Sequence, residues 1–223
     1  MTRLVTVAHG TRFAPGNEVA RSLTRFAGER LGMPAVASYV ELCAPSFASV
    51  VRGSREATVV VPLLLSTGHH LRHDLPAAVR SAPGPVVLGG GLGPDPLLAA
   101  AQADRLRAAG AEPGQPVVMV AAGSRDPLAA RDLSAAALLL AAAWGGPVSL
   151  ATLSGPGARP AEVVTPDHAV SPYLLATGHF ARRVTEESAA SRHVADVLGA
   201  HPLVVDLVVA RASALTAGEL RSA

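Results

Sequence analysis

Lysine is absent from this chain: all 19 basic residues are arginine. No side chain can therefore form a Schiff base, act as an amine base or serve as the lysine of a phosphate-binding P-loop. An anionic ligand would have to be held by arginine, histidine, backbone N–H groups or helix termini. Cysteine is nearly absent too. Cys43 alone excludes an intramolecular disulfide and a cysteine-built zinc finger or iron–sulfur cluster within the chain. Aromatic residues make up 3%, too few for extensive stacking on a planar ligand, and the net charge of +2 gives no bulk attraction to nucleic acid. Long apolar runs are missing. Leu133 to Trp144 is interrupted by Ser134 and too short to cross a bilayer, and the N-terminus lacks an apolar h-region. The expectation is a cytoplasmic protein with neither membrane nor nucleic-acid partners.

What is present is apolar: 49% of 223 residues are hydrophobic, enough for one large domain or two small cores. Apolar runs alternate with helical patterns. Leu4–Ala8, Val36–Leu42, Thr58–Leu65 and Val86–Gly89 read as strands. Between them, Asn17–Leu31 (with Asn17 as N-cap), Ser46–Arg52 (capped by Ser46), Leu71–Arg80 and Pro96–Ala109 read as helices. Such alternation predicts an α/β fold with a mostly parallel sheet.

The pattern then restarts. Past a linker-like stretch, AAGAEPGQP at 108–116, VVMVAAGSRDP (117–127) repeats LVTVAHGTRFAP (4–15). SLATLSGP (149–156) repeats ASYVELCAP (37–45), and AVSPYLLATGHF (169–180) repeats VVVPLLLSTGHH (59–70). Three matches in order indicate an internal duplication. Two lobes are expected, 1–112 and 113–223, each a mostly parallel four-stranded sheet flanked by helices. The duplication also separates scaffold from chemistry. Gly10 matches Gly123, Arg12 matches Arg125, Pro45 matches Pro156 and Gly68 matches Gly178. In contrast, His9 faces Ala122, Glu41 faces Thr152 and His70 faces Phe180. At all three places the first copy holds a proton- or metal-capable group, so the second reads as a degenerate copy.

His9 ends the first expected strand, Glu41 ends the second and His70 follows the third, at the carboxyl ends where open α/β sheets bind ligands. Two imidazoles and a carboxylate suit a borderline divalent ion such as iron, cobalt, nickel or zinc, with coordination positions left open.

Three segments together resemble the sirohydrochlorin chelatases, the class II, ATP-independent cobalt and iron chelatases: AHGTR (8–12), VELCAPS (40–46) and VPLLLSTGHHLRHDLP (61–76). The resemblance is specific over residues 4–76 and weaker through the second half, as in two-lobe members of that family. It implies a chelatase-like fold and insertion of a divalent metal, Fe2+ favoured and Co2+ next, into sirohydrochlorin for sirohaem or cobalamin. The metal is then a substrate, and no ATP or nucleotide is expected. His9 and His70 match the family's metal-binding histidines and Glu41 its acidic partner, which makes these three the catalytic set. Either kind of group can ligate metal or accept a pyrrole proton, and the residues do not divide these roles.

The substrate's rim carboxylates would meet Arg12, Arg72 and Arg125, and the backbone and hydroxyl groups of Gly10, Thr11, Ser66, Thr67 and Gly68. Leu63–Leu65 and the second lobe would supply apolar walls, with the cleft between the lobes. A loop-fixing salt bridge would account for Arg12 equally well. Asp74 is expected to cap or brace its segment rather than ligate. The i, i+4 spacing of His69 and His73 on a helix could chelate a metal; they read first as solvent-facing, or as holding incoming metal transiently. His179 can still line the cleft, while His168, His193 and His201 read as structural or exposed, and Cys43 as a buried small hydrophobe. Two other functions fit part of the pattern. One is a non-catalytic metal or tetrapyrrole carrier on the same scaffold. The other is a histidine phosphatase, which would need an arginine where Ala8 stands. A monomer suffices, because the duplication supplies within one chain what a dimer of single lobes would provide; a dimer is possible.

Overall fold

The computed structural model describes residues 2–222. Two four-stranded sheets form, each entirely parallel, and the chain divides into two compact units.

In the first sheet β1 (Arg3–Ala8) pairs with β2 (Ala35–Tyr39) and β3 (Thr58–Pro62), and β3 pairs with β4 (Val86–Leu88), giving the order β2-β1-β3-β4. The central strands β1 and β3 are almost wholly buried, as continuous Val/Leu runs require when helices cover both faces. On one face Val5, Val7 and Val60 pack against Phe47 and Val51 of α2 (Phe47–Arg52) and Leu75 of α3 (Leu75–Arg80). On the other face lies α1 (Ala14–Leu31), where the hydroxyls of Thr6 and Thr24 pair at 2.5 Å inside the core. Ser46 caps α2 as expected, its Oγ accepting from the Ser49 N–H.

The second sheet repeats the arrangement: β5 (Val117–Ala121), β6 (Val148–Thr152), β7 (Ala169–Tyr173) and β8 (His193–Val194) in the order β6-β5-β7-β8. Val164, just past α6 (Pro160–Val163), and Val184 of α7 (His179–Glu187) join the core on one face. α5 (Pro127–Trp144) is capped by Asp126, whose carboxylate accepts from the Leu128 N–H. It is longer than the run read from the sequence, and it is the one helix among the described residues long and apolar enough to cross a membrane. Leu133, Leu140 and Trp144 are nevertheless buried within this unit, and the helix carries Arg131 and Asp132.

The units divide elsewhere than at 112/113. One comprises Met1–Leu92 together with Val204–Ala223, the other Gly93–Leu203. The helix after β4, α4 (Pro96–Ala108), packs against α5 and β7, where Gln102 donates to Ser171 Oγ at 2.8 Å. The last helix, α8 (Pro202–Ser222), closes the first unit, with Asp206 ion-paired to Arg30 of α1 and Leu215 close over Gly89. The two halves thus trade their final helices. Local helix signals are the same whichever sheet a helix covers, so the contiguous pattern could not show the exchange.

Several boundaries also move. α1 begins at Ala14 rather than at Asn17, with no side-chain cap. β2 ends at Tyr39, two residues before Glu41. The segment expected to be a helix from Leu71 begins instead as a π-helical turn, His70–Asp74, before α3.

Candidate metal centre

β1–β2 pairing continues past both strand ends. Val40 N–H donates to Ala8 O at 2.9 Å and Glu41 N–H to His9 O at 3.1 Å. This extension carries His9 and Glu41 side by side, and His9 Nε2 lies 3.3 Å from Glu41 Oε1. The chain then reverses at Leu42, whose φ of 63° is the one positive value at a non-glycine residue among those described. Cys43 N–H closes the turn on Glu41 O at 2.8 Å.

His70 arrives from the other side, after β3. Its ring stands edge-on to that of His9, centroids 5.0 Å apart. One ligand-capable atom from each of His9, Glu41 and His70 lies within 4.8 Å of the others. His9 and Glu41 are half exposed and His70 is more enclosed. A divalent ion could be held here with several coordination positions facing outward.

Asp74 fixes the third member. His70 Nδ1 is 2.6 Å from Asp74 Oδ2. An ionised carboxylate only accepts, so against it Nδ1 is the donor, and in a neutral ring that tautomer leaves the lone pair on Nε2. Asp74 makes no side-chain cap to α3; its contact is with the His70 ring instead.

Asn17 is the residue that sequence reasoning misplaced. Buried inside α1, its amide donates to Thr11 O at 2.7 Å and accepts from Thr11 N–H at 3.0 Å. Thr11 Oγ1 in turn accepts from Phe13 N–H. The loop after His9 is therefore tied to the helix, and the N–H groups of Thr11 and Phe13 are spent internally rather than offered to a ligand. The signal available was an Asn six residues past Thr11, which also reads as a cap. Tyr39 extends the tie: its hydroxyl donates to Asn17 O at 3.2 Å, and burial pushes the phenol above its usual range.

Among the other expected residues, Gly10 has a φ of 94°. Arg12 and Arg72 are exposed beside the ligand-capable groups in sequence, and Ser66, Thr67 and Gly68 form the half-buried loop leading to His70. Arg125 is exposed at the corresponding loop of the second unit. Leu63 belongs to the core, leaving only Leu64 and Leu65 near the surface. Cys43 is half-buried and free rather than fully buried. His168 Nδ1 accepts from Thr165 N–H, His193 Nδ1 pairs with Ala109 O and His201 Nδ1 accepts from Leu203 N–H, all structural roles. A cavity of about 680 Å³ opens instead along α1 and the edge strand β2, lined by Arg21, Arg25, Met33 and Tyr39, with none of the three ligand-capable residues.

The duplicated sheet corrects two pairings. Ala8 is in register with Tyr39, and Ala121 with Thr152. Tyr39 N–H reaches Pro45 O, and Thr152 N–H reaches Ala158 O. The counterpart of Glu41 is therefore Ser154, not Thr152, and that of Pro45 is Ala158, not Pro156. The left-handed Leu42 corresponds to Gly155, φ 72°.

Fold and side chains together define a class: a duplicated parallel α/β protein in which one copy bears an open cluster of two histidines and a carboxylate. The CbiX family model matches residues 3–109 and 116–215. The chain belongs to that family, the sirohydrochlorin chelatases. A curated relative, the sirohydrochlorin ferrochelatase of Priestia megaterium, is 27% identical over 152 residues, a match spanning 63% of this chain and 57% of the relative. SirB from Bacillus subtilis with Fe3+ has a TM-score of 0.79 and 26% identity, covering 98% of this chain and 97% of that one. SirB of the subspecies spizizenii, in complex with cobalt, has a TM-score of 0.78 and 25% identity, covering 97% and 96%.

Proposed function

We propose that this protein inserts a divalent metal into sirohydrochlorin, with Fe2+ the preferred ion and Co2+ the next. The observation carrying this reading is the convergence of His9, Glu41 and His70 within 4.8 Å at an exposed strand end. Metal(II) enters the macrocycle as two pyrrole N–H protons leave, so the product is the neutral-core metal complex plus two protons. The ion must be held firmly enough to be positioned and loosely enough to be released. Two histidines and one carboxylate, half exposed, meet both demands. Glu41 offsets the ion's charge, and once the ion has passed on, Glu41 and the freed imidazoles can take up the departing protons. Asp74 keeps His70 Nε2 pointed at the ion. Arg12, Arg72 and Arg125 would hold the rim carboxylates through bidentate forks, and Gly10, Thr11, Ser66, Thr67 and Gly68 would line the substrate's edge.

Support comes from the family membership and from relatives described with iron and with cobalt. Anaerobic insertion into sirohydrochlorin, followed by absorbance with Fe(II), Co(II) and Ni(II) in parallel, tests it. Multiple turnovers that His9→Ala and His70→Ala both abolish, fastest with Fe(II), are expected. Stoichiometric binding without turnover would replace the enzyme with a carrier.

A further inference from the structure

The π-helical turn does more than present His70. Leu75 N–H bonds to His70 O, five residues back, so the turn is wide. Residues four apart adjoin on one face here, as they do on an ordinary helix. His69 lies over His73 with ring centroids 4.7 Å apart, as His70 lies over Asp74. The Asp74 carboxylate serves both ladders: Oδ2 contacts His70 Nδ1, and Oδ1 lies 3.6 Å from His69 Nε2. Both outer histidines are exposed, His69 with 73% of its side chain accessible, so core packing does not explain them.

The duplicate supplies an independent control. There His179 stands for His69, Phe180 for His70, Arg183 for His73 and Val184 for Asp74, and the segment is regular α-helix. Arg183 is occupied structurally, bonding Glu187 and the carbonyl of Leu153. The copy without the three-residue cluster thus also lacks His73, the shared carboxylate and the wide turn.

We propose that His69 and His73 form a second, weaker site for a borderline divalent ion, joined through Asp74 to the His9–Glu41–His70 centre. Two imidazoles one turn apart on one face chelate such ions, and neutral imidazole suits Co2+, Ni2+, Fe2+ or Zn2+. The site holds a waiting ion beside the first; that use rests on the chelatase reading, while the binding itself does not.

The test is Co(II) binding to tag-free protein at pH 7.5, counted by equilibrium dialysis and visible absorption. Wild type should take up two equivalents, the second more weakly. His69→Gln/His73→Gln should take up one, and His9→Ala/Glu41→Gln should keep only the weaker. A single equivalent in wild type, or an unchanged isotherm in His69→Gln/His73→Gln, overturns the second site. In insertion assays the same double variant should raise the metal KM several-fold with kcat unchanged, and an unchanged metal KM overturns the waiting role. Wild type that binds two ions and inserts none would overturn the chelatase reading and leave the second site standing.

Discussion

The carbonyl oxygen of Glu41 lies 2.0 Å from where a Cβ on Gly10 would stand, and Ser154 O stands in the same relation to Gly123, at 1.9 Å. The two loops are pressed backbone to backbone in both sheets, although only one pair of loops carries ligand-capable side chains. Gly10→Ala must therefore displace the Glu41 backbone as well as strain a φ of 94°. Strain of this kind costs about 1–3 kcal/mol, several degrees in Tm for a chain of this size. Co(II) affinity at the first centre should fall at least tenfold, measured by titration beside a melting curve. Unchanged affinity would show that Glu41 is not placed by this contact.

The same correspondence makes a constructive prediction. Ala122→His/Ser154→Glu/Phe180→His should create an additional Co(II) site in the second sheet, counted as one more equivalent. It should be weaker than the first, because Val184 cannot brace the new imidazole. Ala122→His/Thr152→Glu/Phe180→His should instead destabilise the protein without gaining an ion, since Thr152 is buried with its Oγ1 donating to Pro156 O. An equal gain in both would refute the pairing of Glu41 with Ser154.

Asp74→Ala removes the partner of His70 Nδ1 and frees the ring to choose its tautomer. Losing such an outer partner typically costs 10–100-fold in metal affinity. The loss should appear in the Co(II) dissociation constant at nearly unchanged Tm, because Asp74 is exposed. Asp74→Asn, which retains an acceptor, should recover part of it. Full affinity in Asp74→Ala would exclude the positioning role.

Asn17→Ala leaves the Thr11 N–H and C=O without their partner. Stranding such groups costs about 1–3 kcal/mol. The protein should melt lower, and exchange at the Thr11 amide should accelerate more than at α1 amides beyond Asn17. Uniform acceleration along α1 would mean that Asn17 supports the helix and not the loop.

His201 gives stability a pH dependence. Burial, with Arg105 adding to it, lowers its pKa below the ordinary 6.5, while Asp104 opposes the shift. The fold therefore favours the neutral ring, whose Nδ1 accepts from Leu203 N–H at the start of α8. As pH falls through 6.5 the unfolded chain takes the proton first, and stability is lost until the lower folded value is passed. Above that window the contribution is complete. Urea midpoints at pH 5 and pH 7.5 should differ less in His201→Asn, which keeps a capping oxygen, than in wild type. Equal pH dependence in the two would remove His201 as the cause.

The cluster was legible in the chain because the duplication compares the sequence with itself. His9 against Ala122 and His70 against Phe180 survive in three dimensions, where strand and loop have equal length in both copies. Glu41 stands out in the chain as ligand-capable, but alignment on the shared proline pairs it with Thr152, whereas backbone register puts the position matching Pro45 two residues past that proline.

Sequence alone determined the two parallel α/β sheets, a second copy without the matching histidines and glutamate, and the identity of the three ligand-capable side chains. These depend on local periodicity and residue chemistry, which the chain carries in order. Only the tertiary structure decided which sheet α4 and α8 cover, that Asn17 ties a loop rather than capping a helix, and that the His70–Asp74 segment winds as a π-helical turn with Asp74 shared between His69 and His70. The first depends on contacts between residues far apart in sequence, the second on the path of the loop after β1, and the third on one extra residue in a helical turn. None leaves a periodic trace in the chain.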